Sequence, residues 1–283
     1  MIGTAAGDIA GSTREFAKFK TTDLSFELFP EKSCFTDDTI LTAAIADALY
    51  CKDPIDEIMC KYANVYPHGG YGGMFVDWIK TAESQRRPYN SWGNGSAMRT
   101  SPIAYWFDTV NKVIEESQKC AELTHNHPEG IKGAQSVALA IYAGRHQHKK
   151  DVIKSIAKKF EYEIIPTDEI RKDYKFYVSC QRTVPEAFSC VLESTDFEHA
   201  IRLAISLGGD SDTIAAITGS IAEAYYGMPE NIANEVYDRL DNHIRTVFTT
   251  FLDKKAPDLL VGKWKENKEE NLFKDEKENK NEK

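Results

Sequence analysis

Two short acidic motifs, far apart in the chain, carry the side chains best suited to hold a metal ion. Thr-Asp-Asp at residues 36–38 and Asp-Ser-Asp-Thr at residues 210–213 each precede an apolar run. If a helix begins at the second motif, Asp210 and Thr213 share one face and Asp212 projects beside them. Carboxylate and hydroxyl oxygens, with no Cys or His nearby, form the ligand set of a hard cation such as Mg²⁺, Mn²⁺ or Ca²⁺. We therefore predict one metal centre gathered from both ends of the chain.

A simpler interpretation makes both motifs helix N-caps. Asp, Ser and Thr side chains commonly accept hydrogen bonds from the free N–H groups of a first helical turn. Either motif alone favours this interpretation. Two motifs of the same composition, each opening a helical run, instead favour a shared metal site. The cap interpretation predicts a structural protein that binds no metal.

The N-terminal segment, residues 2–18, is predicted to be a helix with one polar face. Asp8, Ser12 and Glu15 are spaced four and three residues apart and would lie on that face. Asp8 and Glu15, taken alone, fit a solvent-facing helix equally well. Three glycines at four-residue spacing would let another helix pack closely. The polar, irregular residues 21–33 could let Glu15 move over a site.

Two glycine-rich loops are suited to bind phosphate. Residues 67–73 hold four glycines in five positions before a helix predicted from about Phe75, and residues 90–99 form the second loop. A helix N-terminus after such a loop presents free N–H groups to an anion. The first loop matches neither the Walker pattern nor the dinucleotide-binding pattern, so alone it could be a plain turn. The two loops together favour a diphosphate-containing ligand.

The segment Thr-His-Asn-His-Pro at residues 124–128 contains two histidines. Their spacing of two does not place both imidazoles on one helical face, so a zinc pair is not supported. The default expectation for each is a satisfied or solvent-exposed side chain. One of them could instead hydrogen-bond a ribose or a phosphate.

Composition narrows the class of protein. The chain has 283 residues, 42% of them hydrophobic, which is enough for one large core. No apolar run reaches 18 residues and the start lacks a basic secretory signal, so no membrane partner is expected. Six scattered cysteines without a CxxC pair indicate reduced thiols and a cytoplasmic location. A net charge of −9 argues against nucleic acid as a partner.

Helical periodicity runs along almost the whole chain, and strand signals are nearly absent. Helices are predicted over residues 39–52, 55–65, 130–145, 182–192, 196–206 and 213–227, with one or two more over residues 229–252. We predict a single all-α domain over residues 1–260 with a compact multi-helix core. Residues 261–283 are predicted to be a charged, flexible tail, in which Trp264, Leu272 and Phe273 leave room for a weakly docked helix. Residues 146–180 carry no readable motif.

The chain resembles the ADP-ribosylglycohydrolase family, of the dinitrogenase reductase-activating glycohydrolase and ADP-ribosyl-acceptor hydrolase type. Five motifs in the family's order, over about residues 1–230, carry the resemblance: Gly7-Asp8-x-x-Gly11-x-x-x-Glu15, Thr36-Asp37-Asp38-Thr39, Gly93-Asn94-Gly95-x-Ala97-Met98-Arg99, Thr124-His125-x-His127-Pro128 and Gly208-Gly209-Asp210-Ser211-Asp212-Thr213. Ser211 stands where the family more often has Thr, between two ligand positions rather than at one.

The resemblance implies an orthogonal bundle of helices with a dinuclear metal cleft that holds two Mg²⁺ or Mn²⁺ ions. The family's metal-ligand positions are occupied by Thr36, Asp37, Asp38, Asp210, Asp212 and Thr213. The implied catalytic residues are Glu15, which matches a mobile glutamate of some members, with Asp37, Asp38 and Asp212. The diphosphate would be cradled by Gly70, Tyr71, Gly72, Gly73, Ser91 and Gly93, while Trp92 and His125 would line the ADP-ribose cleft.

The implied activity is hydrolysis of the bond between the anomeric carbon of ADP-ribose and an acceptor side chain, through a transition state with oxocarbenium character. ADP-ribosylated protein and ADP-ribose would be the partners of a monomeric enzyme. Arginine-linked ADP-ribose is the first expectation, and serine, nucleic-acid and small-conjugate linkages stay open. The rival from another class is an ADP-ribose-binding or immunity protein that blocks a partner toxin sterically.

Overall fold

The computed structural model describes residues 1–16 and 19–266. Within these ranges fifteen α-helices follow one another with three 3₁₀ turns and no β-strand, and one isolated bridge joins Gly93 to Ser179. The all-α prediction is confirmed. The helices are α1 Ile2–Ser12, α2 Asp37–Cys51, α3 Ile55–Val65, α4 Gly73–Lys80, α5 Gly95–Met98, α6 Ser101–Trp106, α7 Val110–Glu122, α8 Pro128–Arg145, α9 Val152–Lys159, α10 Thr167–Asp173, α11 Val184–Glu193, α12 Phe197–Ser206, α13 Ser211–Tyr226, α14 Glu230–Arg239 and α15 Asn242–Lys255.

The central helix is α13, which carries the second acidic motif in its first turn. It is buried from Ser211 to Glu223, and α1, α8, α11 and α12 all pack against it. The approach of α1 is the closest, because a methyl group on Gly7 would lie 1.9 Å from the carbonyl oxygen of Ala215. The predicted close packing of the first helix is therefore confirmed, and it fixes α1 against the acidic end of α13.

The first acidic motif reaches the same place through α2. Apolar side chains of α2, among them Ile40 and Leu41, are buried in the main core, and the helix packs against α1, α3, α6 and α15. At its N-terminal end, Oδ2 of Asp38 accepts a hydrogen bond of 3.2 Å from Oγ1 of Thr213 on α13. The two motifs, about 170 residues apart in the sequence, thus meet at one end of the bundle.

The first helix is shorter than predicted. It ends at Ser12, and residues 13–16 form turns, so Glu15 does not share a helical face with Asp8 and Ser12. That part of the prediction is wrong. The physical reason is Arg14, whose buried guanidinium turns back to a carbonyl of the last helical turn and also reaches the carbonyl oxygen of Glu27. This side chain completes the end of the helix and redirects the chain.

The hydrophobic core includes Trp264, four residues beyond the predicted domain boundary at residue 260. Trp264 is fully buried, and its indole N–H donates a 2.8 Å hydrogen bond to the carbonyl oxygen of Ala233 while its ring packs on Tyr237 and Phe248. Burial of an indole contributes strongly to a core, so Trp264 helps to hold this end of the chain on the bundle. The rest of the predicted flexible tail, residues 267–283, lies outside the described residues. No described helix has the length and apolar character needed to cross a membrane.

Candidate active site

Both acidic motifs lie at helix N-termini, yet the side chains of their first residues do not cap the helices by hydrogen bonds. Thr36 is the N-cap residue of α2 and Asp210 that of α13, and in the described chain neither side chain makes a capping hydrogen bond. Gly208 and Gly209 have φ values of 76° and 75°, in the left-handed region that favours glycine, and they turn the chain from α12 into α13. The oxygens of the motifs are therefore available to other partners, and the helix-cap interpretation fails.

Carboxylates from α1, the turn after it, α2 and α13 converge in two groups. Asp8, Asp38 and Asp212 form one group, and Glu15, Asp210 and Asp212 form the other. Within each group the potential ligand oxygens lie within 4.8 Å of one another. Because Asp212 belongs to both groups, the arrangement could hold two neighbouring cations that share this carboxylate.

Asp38 gives the most direct evidence that a cation fits here. Its side chain is buried, and its Oδ1 has no hydrogen-bond partner among the described residues. A buried carboxylate oxygen without a donor is costly unless a positive charge compensates it. The donors present are carboxylate and hydroxyl oxygens, which are the ligands that hard divalent cations prefer. The predicted ligand set therefore fits the chemistry of a hard divalent cation.

The other predicted ligands border these two groups. Thr36, Asp37 and Thr213 line the cleft described below together with Asp210 and Asp212. Asp37 is half-buried, its backbone N–H donates to the carbonyl oxygen of Gly69 at 2.6 Å, and it belongs to neither carboxylate group. The structure thus brings all six predicted ligand residues to one place, and Asp212 lies close to both Asp38 and Asp210.

Asp8 plays a part that sequence reasoning missed. Its Oδ2 accepts hydrogen bonds from the backbone N–H groups of Thr36 and Thr39, at 2.8 and 3.1 Å, and from the Thr39 hydroxyl. Its Oδ1 accepts a 2.7 Å bond from the Thr36 hydroxyl. Oδ2 thus accepts three hydrogen bonds and Oδ1 only one, so Oδ1 keeps a lone pair for a further partner. Asp8 therefore holds the first turn of α2 against α1.

The concentration of buried acids makes the site electrostatically strained without a cation. Burial and the negative charges of Asp8 and Asp210 raise the pKa of Asp37 to about 8. Burial, with a contribution from Asp210, raises the pKa of Glu15 to about 7. Burial also raises the pKa of Asp38 and Asp212 well above the usual range. A bound divalent cation would offset this repulsion and favour the charged carboxylates.

The acids open into a cleft of about 420 Å³, a size typical of small-molecule sites. Both predicted phosphate loops contribute to its wall. Six of the predicted substrate-binding residues line it: Gly70, Gly72, Gly73, Ser91, Gly93 and His125. A Cβ added at Gly72 or Gly73 would meet nothing within 4 Å, so the backbone at the start of α4 is open to a ligand.

Two predicted substrate-binding residues, Tyr71 and Trp92, are not among those that line the cleft. The Tyr71 ring packs against Phe75, with ring centroids 5.5 Å apart. Trp92 is 54% exposed and packs its ring on His127. Their roles in substrate binding stay predictions.

The structure adds residues to which the sequence analysis assigned no role. Asn94 donates a 2.6 Å hydrogen bond from Nδ2 to Oδ2 of Asp210, and so orients one of the central carboxylates. At the mouth of the cleft, Phe16 and Phe176 stack with ring centroids 5.6 Å apart, and Val178 lies in the same wall. Phe176 and Val178 come from the segment between α10 and α11, within the region that the sequence left undecoded. These three apolar side chains, which we call the apolar rim, are well exposed.

Comparison with known proteins gives a consistent result. A family model described as ADP-ribosylglycohydrolase matches residues 1–269. The human ADP-ribosylhydrolase ARH3 is 26% identical over 260 residues, which cover 69% of this chain and 72% of the human protein. The ADP-ribosylarginine hydrolase Tri1 of Serratia proteamaculans (strain 568) is 27% identical over 276 residues, or 85% of this chain and 74% of that protein.

A solved structure described as an ADP-ribosylglycohydrolase-related protein complex has the same fold. It superposes with a TM-score of 0.65 at 21% sequence identity, covering 84% of this chain and 95% of that one. The fold, the acidic cleft and the matched sequence range all point to the same family.

Proposed function

The chain belongs to the ADP-ribosylglycohydrolase family of hydrolases, and on that premise we propose that it removes ADP-ribose from arginine side chains of proteins with the help of two divalent cations, Mg²⁺ or Mn²⁺. The observation that carries the proposal is the pair of carboxylate groups joined at Asp212 and open to a ligand-sized cleft. The buried, unpaired Oδ1 of Asp38 supports the part of the proposal that concerns bound cations.

Arginine is the acceptor that the relatives support best. The Tri1 proteins of Serratia proteamaculans and Pseudomonas putida are named ADP-ribosylarginine hydrolases, and this chain aligns with 74% and 77% of their lengths. The name ARH3 specifies no acceptor, so serine-linked and small-conjugate substrates are the competing linkages. A net charge of −9 argues against ADP-ribosylated nucleic acid. We further propose that the enzyme is a cytoplasmic monomer, and its six free cysteines agree with that location.

The reaction breaks the bond between the anomeric carbon of the ribose and the guanidine nitrogen of the acceptor. Water supplies the oxygen that stays on the anomeric carbon, and the guanidine leaves with a proton. Two bound cations would supply charge to hold the ribose hydroxyls and to lower the pKa of water.

The side chains of the cleft would bind and orient the substrate. The glycine loops at residues 70–73 and 91–95 would hold the diphosphate through backbone N–H groups. Glu15 lies at the mouth of the carboxylate cluster in a turn outside α1. Its position in the cleft wall, on a turn rather than inside a helix, would let it hold or release the proton that the reaction moves. We assign Glu15 that role.

The experiment that tests the proposal measures release of ADP-ribose from an arginine-ADP-ribosylated protein in Mg²⁺, Mn²⁺ and EDTA. A serine-ADP-ribosylated protein is the parallel substrate. We expect release from arginine only, dependent on metal, and at least a hundredfold loss in Asp212→Asn because removal of a key catalytic contact typically costs about that much. The exposed Asp151→Asn variant is the control and should match the wild type.

Release from serine alone would reject the arginine assignment. Full release in EDTA, or an Asp212→Asn variant with unchanged activity, would reject the proposal that cations take part in the reaction. Tight, metal-dependent binding of ADP-ribose without release from either substrate would favour the binding or immunity protein instead.

A further inference from the structure

His125 is the histidine that the described residues contribute to the cleft wall, and its ring is held by a chain of buried polar groups. The side chains of Arg99, Thr124 and His125 are 1%, 0% and 6% exposed. Nη2 of Arg99 donates a 2.7 Å hydrogen bond to Oγ1 of Thr124. The same hydroxyl lies 2.7 Å from Nδ1 of His125.

The direction of the second hydrogen bond follows from the first. A guanidinium has donors only, so the Thr124 oxygen must be the acceptor for Arg99. The hydroxyl proton then needs an acceptor of its own, because an unpaired buried donor is costly. Nδ1 of His125, at 2.7 Å, is the acceptor that the hydrogen-bond geometry offers it, while the Tyr89 phenol, which also interacts with this hydroxyl, has a proton of its own to donate. Nδ1 therefore carries no proton, and a neutral ring must carry its proton on Nε2.

The other side of the ring faces the second glycine loop. A Cβ added at Gly93 or Gly95 would lie 3.3 or 3.1 Å from Nε2, so the imidazole packs tightly against the backbone at both positions. In the described residues Nε2 has no hydrogen-bond partner, and His125 belongs to the cleft wall. Burial, and the nearby positive charge of Arg99, lower the pKa of His125 well below its usual value, which agrees with a neutral ring.

We propose that Arg99 and Thr124 are positioning residues that hold His125 as the neutral Nε2–H tautomer, so that the ring presents one hydrogen-bond donor to an oxygen of the substrate. The inference rests on the proposed function, because it assumes that the cleft binds the oxygen-rich ADP-ribose. An Nε2 donor beside the backbone N–H groups of the glycine loop accounts for two features together. It explains a buried arginine in the cleft wall and the close packing of the ring on the backbone at Gly93 and Gly95.

The test uses the full-length chain with ¹⁵N-labelled histidine rings. The ring signals of His125 are assigned by their loss in His125→Gln, and one-bond and two-bond couplings show which nitrogen carries the proton. His127, whose Nδ1 accepts from the backbone N–H of Glu129 at 3.1 Å, provides an internal reference for an acceptor Nδ1. We expect His125 of the wild type to be protonated on Nε2 alone. A proton on Nδ1, or on both nitrogens, near pH 7 would overturn the inference.

Thr124→Val and Thr124→Ser separate positioning from packing. Valine keeps the shape but removes the hydroxyl, and serine keeps the hydroxyl. We expect Thr124→Val to give a mixture of the two tautomers and to bind ADP-ribose about fivefold to tenfold more weakly, the value of one hydrogen bond. Thr124→Ser should restore both properties.

An unchanged tautomer and affinity in Thr124→Val would overturn the inference. If Thr124→Val does not fold, the wild-type spectrum alone decides. The spectra require no turnover. An Nε2–H ring in a protein that releases no ADP-ribose from arginine would therefore refute the proposed function while this hydrogen-bond chain stands.

Discussion

Replacement of Asp8 by alanine should loosen the turn of α2 that carries the first acidic motif. The Asp8 carboxylate accepts four hydrogen bonds, two of them from the backbone N–H groups of Thr36 and Thr39. The two hydroxyls can rotate to other partners, but the two amides cannot. An unpaired buried amide costs ~1–3 kcal/mol, and loss of a buried negative charge offsets part of this. We expect Asp8→Ala to lower the free energy of unfolding by about 3 kcal/mol, or Tm by roughly 6–12 °C.

Asn at the same position is the matched comparison. Its amide oxygen can accept from both backbone N–H groups, and its NH₂ group can face the Thr36 hydroxyl, which is able to accept. Asp8→Asn should therefore cost only about 1 kcal/mol. Urea unfolding in EDTA measures both variants without a contribution from cations. A free energy of unfolding for Asp8→Ala within ~0.5 kcal/mol of wild type, or equal losses in the two variants, would refute the role assigned to Asp8.

Three further outcomes follow from the geometry. Gly7→Ala places a methyl group 1.9 Å from the backbone of α13, and we expect a loss of at least about 3 kcal/mol in urea unfolding. In EDTA, Tm should fall as pH rises from 5 to 8, because the pKa values of Asp37 and Glu15 are raised to about 8 and about 7 in the folded chain. The folded chain therefore keeps protons that the unfolded chain has already lost near pH 4. Saturating Mn²⁺ should remove most of that fall, and a Tm that rises with pH in EDTA would contradict the account. Phe176→Ala should raise KM for an ADP-ribosylated protein about fivefold, the value of ~1 kcal/mol of apolar contact, whereas the exposed Val110→Ala on α7 should leave KM unchanged.

Local pattern was enough to find most of the helices. The predicted helices at residues 55–65 and 196–206 coincide with or nearly match Ile55–Val65 and Phe197–Ser206. The end of the first helix was missed because its signal is tertiary. Arg14 reaches a carbonyl in the chain at residue 27, and no spacing within the helix reveals that contact.

The candidate site could likewise be predicted from the sequence only where the signal is local. Oxygen donors next to helix starts could be recognised from the residues alone, so the acidic motifs were found. Asp8 was assigned no role, because its four hydrogen-bond donors come from residues about 30 positions away. The apolar rim was missed since Phe176 and Val178 lie in an extended segment whose place beside the cleft depends on the packing of α10 and α11.

The most direct test of the central claim is a titration of metal-free protein with Mn²⁺ while release of ADP-ribose from an arginine-ADP-ribosylated protein is followed. The account predicts no release without metal, a rate that reaches its plateau at two bound ions per chain, and neither the rate nor the second ion in Asp212→Asn, because Asp212 belongs to both carboxylate groups. Full release by the metal-free protein, or an Asp212→Asn variant that binds two ions and turns over normally, would contradict it.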